Sequence, residues 1–120
     1  MNKVFLIGNL ARDPEGGSTQ SGISWCRFTL AVNRRRAGAD GKKQTDFLQV
    51  VAWRTTAENC LRYLAKGRKV AVEGRIETRQ YDDQEGQRRY ATEIVADAVE
   101  FVSSKPGSGG AAYQDEDEDY

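Results

Sequence analysis

Phe47, Trp53 and Tyr81 are large rings set among arginines and lysines, in strand-like stretches where the core has no need of them. Side chains i, i+2 and i+4 of a strand project to one side. In FLQVVAW, residues 47–53, this sends Leu48, Val50 and Ala52 to a wholly apolar face and leaves Phe47, Gln49, Val51 and Trp53 on the other. In KVAVEGRIETRQY, residues 69–81, burial is expected for Val70, Val72 and Ile76, while Arg75, Glu77, Arg79 and Tyr81 share the opposite parity. Every nucleobase has a π-face, so rings flanked by cations hold unpaired nucleic-acid strands with little regard to sequence. Stacking contributes roughly 1–3 kcal/mol per base, and phosphate contacts add a salt-sensitive term. The plainer alternative is that Phe47 and Trp53 cover a barrel end or a subunit contact.

The accompanying cations are Arg34, Arg35, Arg36, Lys42 and Lys43 in RRRAGADGKK, residues 34–43, and beyond them Arg54, Arg75, Arg79, Arg88 and Arg89. The 34–43 stretch carries two glycines and no apolar period, so it reads as a projecting loop able to close over a strand bound on the neighbouring face. Taken alone, a charge run is usually a solvated surface. Beside the rings it becomes a phosphate-contacting one. Trp25 shares parity with Arg27 and Thr29, which suggests a surface or interface position, and it is left out of the expected site.

Catalysis has little to work with: the chain has no histidine, no glycine-rich phosphate loop of the usual spacing and no carboxylate cluster in an apolar setting. No enzyme and no cofactor are expected. Asp82, Asp83 and Glu85 cluster, but without the alternating ligands of a calcium loop they read as a solvated turn, and no metal is expected. Cys26 and Cys60 form no CxxC pair and should pack as small apolar groups, with a disulfide between them as the alternative.

The formal net charge of zero conceals an asymmetry, because five of the 18 acidic residues crowd into the last six positions. Without them, 18 basic side chains face 13 acidic ones, a net +5 that suits a polyanionic partner. The short apolar run in MNKVFLIGNL suffices neither for a signal core nor for a membrane span, so a cytoplasmic location is expected.

The elements that must position these residues follow from period and punctuation. Strands are expected at residues 2–10, 23–33, 45–53, 69–81 and 87–102, with Asp13-Pro14-Glu15-Gly16-Gly17 as a breaker and Asp82–Gly86 as a hairpin turn. On the last strand, Tyr90, Thr92, Ile94 and Ala96 share one face. Ala57, Cys60, Leu61 and Leu64 recur at helical spacing, with Thr55-x-x-Glu58 as an expected capping box, Lys66 near the carbonyl end and Gly67 as the left-handed stop. Three strands, a helix and two strands fit an all-β, small five-stranded barrel with the helix plugging one end; an open α+β sheet with the same order is the alternative. The domain is expected to span residues 1–104, followed by a Gly/Ser linker and acidic tail at 105–120.

The runs NKVFLIGNLARDPE, RFTLAVNR, DFLQVVAW and YLAKGRKVAVEGRIETRQY, in that order, resemble the bacterial single-stranded DNA-binding proteins over about residues 1–102. The resemblance implies an oligonucleotide-binding (OB) barrel, usually a homotetramer, that coats single-stranded DNA at the nucleoid during replication, recombination and repair. It puts the stacking aromatics at Phe47, Trp53 and Tyr81; in the family the first and last are often tryptophan, and a further aromatic of the preceding loop has no match within 34–43. Family members commonly end in aspartates, an aliphatic residue, proline and phenylalanine, a tip that docks replication and repair proteins. Here Asp115, Glu116, Asp117, Glu118, Asp119 and Tyr120 stand in its place, without the aliphatic-proline step. Two other classes stay in view: an OB-type module that assembles proteins and ignores DNA, and an accessory to a nuclease or deaminase.

Overall fold

The computed structural model describes residues 1–36 and 38–102. The strands are β1 (Val4–Leu10), β2 (Glu15–Ser18), β3 (Ser24–Asn33), β4 (Thr45–Trp53), β5 (Lys69–Asp82) and β6 (Arg88–Phe101), with α1 (Arg54–Tyr63) between β4 and β5. The sheet order is β1-β5-β6-β4-β3-β2, and β1 also pairs with β3, so five strands close a ring to which β2 adds an edge. This is the expected five-stranded OB barrel, helix included. The closing contacts are short: Asn9 and Leu10 meet Ala31 and Leu30, and the parallel β4–β6 pairing joins Val50 and Val51 to Ile94 and Val95.

β2 was not expected. Its sequence, EGGS, offers no apolar alternation and every residue is exposed; antiparallel pairing with β3 alone makes it a strand.

One parity of each long strand fills the barrel. Cys26, Phe28 and Leu30 of β3 meet Val50 and Ala52 of β4, Val70 and Val72 of β5, and Ile94 and Ala96 of β6, with Leu10, the helix residues Ala57 and Cys60 and the C-cap residue Leu64 completing the core. Cys26 and Cys60 are both buried as free thiols, and the hydrogen bond with Cys26, together with burial, pushes the Cys60 thiol above the ordinary range. Ile76 departs from expectation. Its parity is that of the core, but it is 42% exposed, because β5 and β6 run on past the barrel as a free hairpin whose two faces both meet solvent. Tyr90, on the same hairpin face, is 68% exposed.

Two glycines allow the ring to bend and close. A Cβ at Gly8 would fall on the Ala31 carbonyl oxygen where β1 crosses β3, and one at Gly74 on the Val95 carbonyl oxygen. Gly74 also marks the irregularity in the β5–β6 register, between Glu73 and Gly74, from which the hairpin departs. At the hairpin's far end, Asp83 Oδ1 accepts the backbone N–H groups of Glu85 and Gln87, each at 2.9 Å, and Oδ2 accepts Arg89 Nε at 2.9 Å. These donors, Gln87 foremost, hold the Asp83 carboxyl below its usual range. The acidic turn serves the hairpin itself.

The helix does not begin as the capping box implied. β4 runs into α1 without a loop, Trp53 is the N-cap residue in extended conformation, and no side chain caps it. Thr55 therefore lies inside the first turn, and Glu58 instead accepts Ser24 Oγ–H at 2.9 Å, tying the helix to β3. The corner is made by Arg54, whose φ of 60° is left-handed, a conformation that costs an ordinary residue about 1–2 kcal/mol. The other end also differs. Tyr63 is the last helical residue, Leu64 N–H bonds Cys60 O at 2.9 Å, and Gly67, left-handed at φ 91°, serves the later turn in which Arg68 N–H bonds Ala65 O at 3.1 Å. Lys66 is thus beyond the helix, its backbone N–H donating to Asp13 Oδ1 at 2.8 Å. Buried Arg68 donates from Nη2 to Tyr63 O at 3.0 Å and satisfies a terminal helix carbonyl.

Gly74→Ala is expected to lose about 3 kcal/mol, since carbonyl and methyl cannot share that space, whereas Gly17→Ala, whose Cβ would stand 3.6 Å from Trp25, should change stability by under about 0.5 kcal/mol; urea titrations of both variants compare the two. Arg54→Gly should raise stability by about 0.5–1 kcal/mol, the relief of the left-handed backbone less glycine's added chain entropy, read as a thermal midpoint a few degrees higher.

Candidate nucleic-acid interface

The barrel's second parity builds an outer face from β3, β4, β5 and β6. Phe47, at 64% exposure, and Trp53, at 43%, stand near the two ends of β4, about 20 Å apart at strand rise. Tyr81, 44% exposed, lies out on the free hairpin, opposite Arg89, with the Arg79 guanidinium 5.6 Å from its ring centre. The three rings expected to stack are thus all exposed on the side of their strands away from the core.

Between them the floor is not an even one. Gln49 is exposed and donates to Thr29 Oγ1 at 3.0 Å, but Val51 is buried at 4% exposure. It pairs with Val95 on β6, and the row is completed by Arg27 on one side and Arg75 on the other. Long arginine stems beside two valines close the middle of the face with hydrocarbon and keep the charged heads outward.

The expected cations divide into two sets. Arg34 is committed: its Nη2 and Nε donate to Asp46 at 3.0 and 3.1 Å and its Nη1 to Gln44 Oε1 at 3.0 Å, which holds the Asp46 carboxyl below its usual range. Arg75 bonds Glu77 at 2.9 Å and Asp97 at 3.1 Å, Arg88 lies 3.6 Å from Asp82 and bonds Gln80 at 2.7 Å, and Arg89 holds Asp83. Glu93, whose side chain is 16% exposed, receives Arg27 at 3.4 Å and Arg79 at 3.6 Å, so one carboxylate holds two arginines at the centre of the face. By contrast, Arg35, Arg36, Lys42, Lys43 and Arg54 form no ion pair among the described residues. The free charge therefore sits in the β3–β4 loop and at the β4–α1 corner. The Gly38–Lys42 turn shapes that loop, with Gly38 N–H to Lys42 O at 2.9 Å and Gly41 N–H to Gly38 O at 2.8 Å.

Three residues of this face were outside the expected set. Trp25 is directly opposite Trp53 in the β3–β4 register, and the Arg27 guanidinium lies 5.8 Å from its ring centre. Parity alone put Trp25 on the surface; its neighbour depends on strand register, which alternation leaves open. Arg27 and Glu93 meet across 66 residues of sequence, so nothing local announces their pairing. The acidic tail at 115–120 and the proposed boundary at 104 lie outside the described residues. No cluster of metal-ligating side chains occurs among the described residues. No described helix is long and apolar enough to cross a membrane.

The profile of the single-strand binding protein family matches residues 1–102. A protein named single-stranded DNA-binding protein 1 from Staphylococcus aureus strain MSSA476 is 46% identical over 105 residues, covering 88% of this chain and 67% of its own length. Its namesake in strain COL is 43% identical over 122 aligned residues, covering 100% of this chain and 73% of its own. Single-stranded DNA-binding protein 3 of Listeria innocua is 46% identical over 112 residues, covering 92% and 70%.

Proposed function

Since the chain belongs to the single-strand binding protein family, we propose that it binds single-stranded DNA without regard to sequence, stacking bases on Phe47, Trp53 and Tyr81. It is a binding protein that serves replication, recombination and repair by covering unpaired strands. The observation that carries the reading is the exposure of these three rings on the outer parity of β4 and β5 while the inner parity is filled. Arg35, Lys42, Lys43 and Arg54 meet phosphates first, having no carboxylate partner among the described residues; Arg34, Arg75, Arg79 and Arg88 must exchange a carboxylate or amide partner for a phosphate.

Self-assembly, a homotetramer in the family's manner, is supported by β1. From Val4 to Ile7 this strand pairs only with β5 among the described residues, leaving its other edge open there, and Phe5 and Ile7 are exposed at 72% and 38%. Asp115–Tyr120 is proposed to engage replication and repair proteins, and the setting is the cytoplasm at the nucleoid.

Oligo-dT is expected to quench tryptophan fluorescence, with affinity falling as salt rises and matched duplex binding far more weakly; equal affinity for duplex would refute base stacking. Replacing Lys42 and Lys43 together with glutamine should lower the slope of log K against log salt by about 1.4, which a titration series measures.

A further inference from the structure

The indole of Trp25 is placed as no core residue would be. It is half-buried on the outer face, and its cross-strand neighbours are Trp53 on β4 and Gly17 on β2. Directly opposed residues of antiparallel strands have Cβ atoms about 4.5–5.5 Å apart, so the two tryptophans are adjacent steps on one surface. On the β2 side the neighbour has no side chain. A Cβ at Gly17 would stand 3.6 Å from the indole Nε1 and 3.9–4.0 Å from Cε2 and Cζ2, so any larger residue there would lie against the ring that glycine leaves uncovered. The Arg27 guanidinium, 5.8 Å from the ring centre, adds a cation and is itself anchored by Glu93.

We propose that Trp25, uncovered by Gly17 and flanked by Arg27, is a fourth base-stacking position that carries a single strand of DNA from Trp53 across β3 toward β2. The proposal rests on the reading of the outer face as a single-stranded DNA surface. It follows from continuity: Phe47 and Trp53 lead along β4 to the corner at Arg54, and half-buried Trp25 is the next ring of the same face beyond Trp53, on the neighbouring strand. A cation beside a ring suits a nucleotide, with base on indole and phosphate on guanidinium. Arg27, which lies over the ring and is held by Glu93, would then exchange Glu93 for phosphate as the base is admitted.

The chain has two tryptophans, so Trp53→Phe leaves Trp25 as the sole indole reporter. Binding of labelled oligo-dT is followed by anisotropy, and Trp25 emission is read in the same titration. Quenching that saturates with binding is the expected result; binding without quenching overturns the proposal. Trp25→Leu, which keeps an apolar cover over β2 but no π-face, should weaken oligo-dT binding roughly 5- to 150-fold, and Trp25→Phe should recover part of it. Unchanged affinity in a folded Trp25→Leu variant refutes the stacking role, and should that variant fail to fold, the Trp53→Phe titration decides alone. Gly17→Ile, which covers the indole from the side while all four rings stay in the chain, should weaken binding, and unchanged affinity counts against the proposal. If the unaltered protein itself fails to bind oligo-dT, the reading of the whole face falls; if it binds and Trp25 is silent, only this position does.

Discussion

Two backbones in this barrel come closer than any side chain permits, and the rest of the molecule follows from that approach. At Gly8, β1 crosses the Ala31 carbonyl and so reaches β3 to shut the ring; at Gly74, β5 lies against the Val95 carbonyl and the β5–β6 register slips. Irregularities of this kind bend a strand and raise its twist, which is how a small sheet turns its corner. What continues past the corner is no longer wrapped around a core. The hairpin that bears Tyr81 and Arg79 stands away from the barrel because β5 was bent at Gly74, and it keeps its own order through the donors gathered on Asp83.

The electrostatics of the outer face are more restrained than its arginine content suggests. Most of its guanidinium groups already have a carboxylate within ion-pair distance, and exposed pairs of this kind contribute little stability, typically under about 1 kcal/mol. Their effect is on geometry. Glu93 holds Arg27 and Arg79 in place over a valine-filled centre, and Asp46 holds Arg34 at the root of the β3–β4 loop. A polyanion arriving at such a surface finds donors already fixed in place and a field reduced by their carboxylate partners.

Alternation made much of this visible beforehand. The division of β3 and β4 into a core side and an outer side is plain in CRFTLAVN and FLQVVAW because both strands are half-buried along their length. The same rule failed at Ile76, where parity still alternates but the barrel has ended, since period reports the face of a strand and not what lies above it. EGGS became a strand through its partner alone, which no local pattern encodes. The capping box misled because Thr55 and Glu58 have suitable spacing, whereas the chain enters the helix straight from β4 through the left-handed Arg54. Among the cations, sequence showed where the charge was and could not show which charges were already matched, because the partners come from other strands. Trp25 opposite Trp53 is of the same kind, a fact of register.

The pairing of β4 with β6 has a further implication, for how the molecule comes into being. Val50 and Val51 pair with Ile94 and Val95 in parallel, and β1 must find β5, so the ring is completed by contacts between segments far apart in the chain. Local hairpins such as β3–β4 form within microseconds in isolated peptides, but closing long loops comes first for every distant pair, and topologies of this sort fold in milliseconds to seconds. During synthesis from the N-terminus, β1, β3 and β4 are made well before their partners β5 and β6 exist. The newborn chain therefore holds open strand edges and an uncovered apolar side until residues near 101 are made, and its exposure to aggregation is greatest in that interval.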